Sequence, residues 1–376
     1  MLSGIHLTLM IGPAIPLPVP ESILDALVSV QVVEESGSTQ SGFELVFTVS
    51  NNSALQTLFL LAGGAGIPLV RVVIVVTIGG APNVIMDGVM TEHQFAPGNA
   101  DGHSQLTIRG KDLSEVMGYI DFSGIPYPAM PREARVELVV AKYLMLGLVP
   151  FVVPSILLDV PLPIDSIPRH QGKDLGYVRQ LADEVGYAFY VQPGPTPGMS
   201  IAYWGPEIRV GNPQPALNIN MDSESNVEEL NFRFDKDAKI MPVVIVQEPI
   251  TKLPIPIPIP DITPLNPPLG LVPPIPPHVN FLKWPAKYSP LQGIVIGLTK
   301  AARSSDCVFG TGRLDVLRYG RLLQSRQLVG VRGAGPAFDG LHYVKQVTHS
   351  IKRGEYKQGF SLARNGLLST LPQVPA

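Results

Sequence analysis

The side chains able to do chemistry are few and scattered. The seven histidines are His6, His93, His103, His170, His278, His342 and His349. No two have the i, i+4 spacing of a helical metal pair, and no HExxH occurs. His93 and His103 bracket a loop with Glu92 and Asp101, a set whose types could ligate a metal ion. No cysteine joins them, and loop histidines are ordinarily solvated. His342 and His349 fall in one predicted strand an odd number of residues apart, which places them on opposite faces and argues against shared chemistry. The acidic run Asp222, Glu224, Glu228, Glu229, Asp235 and Asp237 offers paired carboxylates of the kind that hydrolyse glycosides. No apolar pocket is implied around them, so a solvated rim is the expectation. Gly310-Thr311-Gly312 and Gly330 to Gly335 resemble fragments of phosphate loops but give neither GxGxxG nor a GK[ST] ending. No GxSxG elbow is present. Arg313, Arg318, Arg321 and Arg326 form a modest basic helix around 314–324. The expectation is no catalytic residue, no cofactor-binding residue and no metal ligand; the chain reads as a non-enzyme.

The elements that would have to position a site are mostly strands. The run from Val331 to Gly366 reads as a long β-hairpin turning at Arg353-Gly354, where positive φ is needed. Tyr343, Val347 and Ile351, then Tyr356, Phe360 and Leu362, make apolar-leaning faces. His342, Gln346, Thr348 and Ser350, then Lys357, Gly359 and Ser361, make the polar ones. Val344 breaks the polar face, and Lys345, His349 and Gln358 interrupt the apolar one. Ten such residues span roughly 33 Å. Further strands are predicted at 3–11, 26–50, 70–78, 84–90, 105–109, 187–191, 200–204, 216–221, 227–234 and 242–247. Helices are predicted after Asp112, which caps with Glu115 in a capping-box-like pattern, from Pro131 to Gly147, and from Asp174 to Gly186. Gly172-Lys173-Asp174-Leu175 echoes Gly110-Lys111-Asp112-Leu113.

Composition narrows the class. The chain has 376 residues, enough for two or three domains, with 45% hydrophobic and 16% charged residues. So few charges fit a surface completed by partner subunits. A net charge of −3 gives no reason to propose nucleic acid. Cys307 stands alone, which excludes an intramolecular disulfide and reads as a small buried residue. No secretory signal is visible at the amino terminus. Leu58 to Ile78 is interrupted by Gly63, Gly64, Gly66, Pro68 and Arg71, too broken for a spanning helix, so no direct membrane span is expected. Residues 253–280, rich in alternating proline, are predicted to be polyproline II in an inserted semi-rigid loop.

Three blocks carry a resemblance: GKDLGYVRQLADEVGYAFYVQPG at 172–194, AYWGPEIRVG at 202–211, and GVRGAG with FDGLHYVKQVTHSIKRGEYKQGFSLARNGL within 330–367. With RVVIVVTIGG and MDGVMTEHQ within 71–94, they are similar to the phage late-control D family. These are baseplate hub proteins of contractile tails, related to the T-even phage hub and to the hub part of VgrG, and hubs of contractile injection particles are the most similar. The resemblance implies a mainly β (α+β) protein with two similar antiparallel β-barrel tube-type domains and smaller α/β elements between them. It divides the chain into a first barrel domain at 1–110, an α/β region at 111–205 and a second barrel domain at 206–376 with a proline-rich insert at 249–290, with the barrels free to be discontinuous in sequence. It further implies a homotrimer that adapts a six-fold tail tube to a three-fold spike. The implied partners are a separate spike protein, tail tube or tube-initiator proteins and baseplate wedge proteins. Assembly would occur in the cytoplasm, before incorporation into a phage tail or injection particle. The acidic run keeps a tail-associated cell-wall hydrolase as the alternative.

Overall fold

Alternation of polar and apolar residues at 27–49 and 340–364 makes the centre of one large sheet. A computed structural model describes residues 4–49 except 14, 69–98, 104–155, 167–247, 253–282 except 261–262, 294, 297–298, 301–302 and 304–374 except 373. In chain order the strands are β1 (Ile5–Gly12), β2 (Leu17–Pro18), β3 (Leu27–Glu35), β4 (Gly42–Val49), β5 (Arg71–Ile78), β6 (Ala81–Ala96), β7 (Ser104–Asp112), β8 (Leu148–Val152), β9 (Ala188–Pro193), β10 (Ser200–Gly205) and β11 (Gln214–Asn218). They continue as β12 (Val227–Phe234), β13 (Ile240–Gln247), β14 (Pro254–Pro258), β15 (Gly270–Val272), β16 (His278–Leu282), β17 (Val308–Asp315), β18 (Leu328–Arg332), β19 (Gly340–Lys352), β20 (Glu355–Arg364) and β21 (Leu367–Ser369). The chain is therefore mainly β.

The main sheet runs β12-β17-β20-β19-β3-β4-β7-β6-β5-β1-β2, with β18 against β19 and β11 against β18. All its pairs are antiparallel except β11 with β18. Its inner side chains form one apolar cluster drawn from both halves, including Leu45, Phe47, Ile74, Val344, Val347, Phe360 and Leu362. Each fully buried side chain of this size stabilises by about 1.5–3 kcal/mol. No ring of strand pairs closes either half among the described residues.

A second cluster sits in the α/β part. Helix Arg132–Ala141 contributes Val136, Val139 and Val140, and helix Asp174–Val185 contributes Val178, Leu181 and Val185. Both pack with the small sheet β8-β10-β9. Asp112 caps as predicted, accepting from the Ser114 amide at 2.9 Å, but the turn it starts is a 3-10 helix, Leu113–Gly118. Glu115 does not close the box; it takes Gln40 and Lys111 instead.

The structure corrects three further sequence expectations. The helix predicted at 314–324 is only Val316–Tyr319, because β17 runs to Asp315 and Gly320 stops the turn at φ +78°. The proline-rich stretch is not polyproline II throughout. Pro254–Pro258 is an edge strand on β13, and Gly270–Val272 pairs with β21. Proline at every second residue suits an edge, since amides on only one side of the strand are needed for pairing. The third correction concerns the hairpin. It turns at Gly354, φ +79°, as expected. The register between β19 and β20 shifts between Val344 and Gln346, where Lys345 is an extra residue. One inserted residue reverses the parity. Val344, Val347, His349 and Ile351 consequently share the core side, and the break at Val344 disappears.

Candidate functional site

The outer side of eight neighbouring strands of this sheet, from β12 to β6 in the order above, carries the polar residues. Reading across β12, β17, β20, β19 and β3, one row is Asn231, Thr311, Ser361, Gln346 and Glu35. The next is Glu229, Arg313, Gly359, Thr348 and Val33, continued by Gly42 and Lys111 on β4 and β7. A third runs Asp315, Lys357, Ser350, Gln31, Glu44, Arg109 and Glu92, ending on β6. Small and polar side chains thus cover a face of sheet with few aliphatic interruptions, among them Val33 and Val46.

The cations of these rows are each paired with a carboxylate, Lys111 with Glu115 at 3.2 Å among them. Glu228 lies 3.0 Å from both Arg313 and Lys357, and Lys357 is 3.0 Å from Glu355. Arg109 meets Glu44 at 2.7 Å and Glu92 at 3.7 Å. Gln346 donates to Glu35 at 3.0 Å. The Lys357 ammonium, and then Arg313, hold the Glu228 carboxyl below the ordinary carboxylate range. That keeps it ionised, the opposite of what a general acid in glycoside hydrolysis needs. Asp222 and Glu224 lie in a 3-10 turn, and Asp235 caps the next one through the Asp237 amide.

The histidines do not converge. His342 and His349 stand on the same face, contrary to the parity argument, because the extra residue at Lys345 lies between them. Both are buried, in separate surroundings. His342 packs against Phe232, ring centroids 5.2 Å apart. The His349 Nδ1 is 2.7 Å from the Tyr356 hydroxyl, and its Nε2 is 3.5 Å from Glu34. Gln358, the other polar residue on that face, bonds the Leu323 amide and carbonyl at 2.9 Å each. His93 lies on β6, while Asp101 and His103 lie outside the described residues, as does 58–68 of the apolar stretch. Among the described residues no group of three or more His, Cys, Asp or Glu could hold a metal ion, and no helix is long and apolar enough to cross a membrane. Gly310 and Gly312 are strand residues lying beneath the Phe232 and Phe360 rings. Gly333 and Gly335 turn the chain at positive φ. Cys307 is buried beside the Arg364 carbonyl.

Sequence reasoning missed the buried anchors. Arg71 meets Asp87 through two 2.7 Å bonds and donates to the Gly198 carbonyl at 2.9 Å, and the Ser200 hydroxyl also reaches Asp87. That set ties the main sheet to the α/β part. Arg209 pairs with Asp306 and lies over the Tyr343 ring. Arg326, at φ +63°, lies 4.0 Å over Tyr190 and donates to the Glu35 carbonyl, joining β3, β9 and the loop before β18. A lone arginine within an apolar run, such as Arg71 before VVIVV, was the one available signal.

This architecture defines a mainly β fold that solved phage tail and VgrG chains share. It is similar to a tail protein from Neisseria meningitidis MC58, with 14% identity, a TM-score of 0.61 and coverage of 97% of this chain and 98% of that one. It is similar to the 43 kDa tail protein of prophage MuSo2 from Shewanella oneidensis, with 12% identity, a TM-score of 0.63 and coverage of 96% and 98%. In a Francisella PdpA-VgrG complex the likeness has 9% identity and a TM-score of 0.59, covering all of this chain and 55% of that one. No family model and no curated protein matches the sequence.

Proposed function

We propose that this chain is a structural baseplate hub subunit of a contractile tail or injection particle, without enzymatic activity. Three copies form a ring whose polar sheet faces line the bore. One side of the ring meets a six-fold tube or its initiator, and the other meets a separate three-fold spike, with wedge proteins outside. In this reading residues 1–110, 111–205 and 206–376 are two tube-type units and the α/β part between them, and assembly takes place in the cytoplasm. The observation that carries the reading is the eight-strand polar face, whose cations Arg109, Lys111, Arg313 and Lys357 are each paired with a carboxylate. A wall of that kind offers passing macromolecules little to stick to, because it presents small hydroxyls and amides, few apolar groups, no unpaired cation in these rows and a modest excess of carboxylates. The likeness to tail proteins supports it. Co-expression with the spike protein encoded nearby should give a three-to-three complex by light scattering. No complex, together with particles that assemble without this chain, would sink the reading. Peptidoglycan cleavage by the purified chain, lost in Glu228→Gln, would instead favour the hydrolase.

A further inference from the structure

Where the small sheet of the α/β part meets β19, the structure holds a cleft of about 330 Å³. Its walls include Tyr190 on β9, Tyr203 on β10 and Tyr343 on β19, with Glu207 from the segment after β10 and Arg326 from the loop before β18. Tyr190 stacks on Tyr203 with ring centroids 4.8 Å apart, and Tyr203 on Phe151 at 5.8 Å. The Arg326 guanidinium lies 4.0 Å over Tyr190, and Arg209 lies 4.7 Å over Tyr343. Tyr190 and Tyr203 are therefore sandwiched. They turn edges and hydroxyls to the cleft, and not the open faces on which a sugar ring stacks.

The polar groups of the cleft are only partly satisfied. The Tyr203 hydroxyl donates to the Pro206 carbonyl at 2.7 Å. The hydroxyls of Tyr190 and Tyr343 and the carboxylate of Glu207 hold no hydrogen bond or ion pair among the described residues. Tyr343 is only 2% exposed, and buried polar groups are almost always partnered. Burial is the main reason that all three phenols titrate above their ordinary range, and the Glu207 carboxylate adds to it at each. The nearby cations already have partners. Arg209 and Lys345 share Asp306 at 2.5 and 3.3 Å, and Arg326 donates to the Glu35 carbonyl and the Ser325 hydroxyl. A depression beside the cleft shares Gly37 and Glu207 with it and adds the carboxylates of Glu35 and Asp183. Four carboxylates, of Glu35, Asp183, Glu207 and Asp306, thus stand against the three cations Arg209, Lys345 and Arg326.

We propose that this cleft receives an arginine side chain from a partner polypeptide. The guanidinium pairs with Glu207 and donates to the hydroxyl oxygens of Tyr190 and Tyr343. Its aliphatic stem lies along Ile208 and Val210, which are 42% and 44% exposed. A guanidinium suits the site better than an ammonium, because it is planar, weakly hydrated and carries five donors. The chain's own Arg209 and Arg326 lie over rings of the same cluster, so these tyrosines already accept guanidinium groups. One further cation also offsets the excess carboxylate. Neither a ring nor a spike is needed for this contact.

The test uses the full chain carrying fluorotyrosine, titrated in low salt with the peptide acetyl-Gly-Arg-Gly-amide. A peptide with citrulline, the neutral isostere, in place of arginine is the control. Fluorine NMR should show saturable shifts at Tyr190, Tyr203 and Tyr343, each assigned from its Phe variant. The citrulline peptide should bind more weakly by a factor on the order of tenfold. Glu207→Gln should weaken the arginine peptide by a similar factor with the thermal melt unchanged, whereas Glu224→Gln, on a distant turn, should leave binding as in the parent chain. Equal binding of the two peptides, no response to Glu207→Gln, saturable shifts only at other tyrosines, or no saturable shift at all would each overturn the proposal.

Discussion

His342 gives the clearest pH dependence at the level of single residues. Burial, and then the Arg364 guanidinium, push its imidazole down to about 3. The unfolded chain takes up a proton near pH 6.5 that the folded chain refuses. Stability contributed by this site is therefore full above pH 6.5 and falls as pH drops toward 3, by up to about 1.4 kcal/mol per pH unit. Urea unfolding of His342→Phe across that window should show a flatter pH profile than the parent chain. The environment behind this was not legible in the sequence. His342 stood on a predicted polar face, and only the register shift at Lys345 turns it inward. A single extra residue in a strand leaves no compositional mark.

Elements were more legible than their phase. The hairpin, the helix stripes of 132–141 and 174–185 and the strand at 71–78 follow from periodicity and turn residues. What failed were places where two strong local signals met. The apparent helix at 314–324 begins inside a strand, because β17 pairs with β12 through Leu314 and with β20 through Asp315. The prolines of 254–258 excluded a central strand correctly and left an edge strand open. The dependence on phase can be tested at Lys345. Deleting it should misplace one half of β19 and prevent folding, seen as lost near-UV dichroism. Lys345→Ala keeps the count and leaves Asp306 its Arg209 partner, so it should cost less than about 1 kcal/mol.

At the level of the molecule, two apolar clusters must behave as one body, and Arg71 with Asp87 is the link that makes them do so. Arg71→Met strands a buried carboxylate and should destabilise by about 3–5 kcal/mol in urea, with Arg71→Met plus Asp87→Leu recovering much of the loss. No pattern in the sequence could pair these two, because the link is closed by a turn at Gly198 more than a hundred residues away. The polar face was foreseen only at the hairpin; its extent across eight strands needed the sheet order.

The internal joint between β19 and β3 has a mechanical meaning. Its seven paired positions, 346–352 against 29–35, cross the same sheet whose apolar side is shared by both halves. A force that separates the halves must shear this ladder and open the common cluster in one step. The two halves should therefore yield together, and neither should unravel while the other keeps its packing.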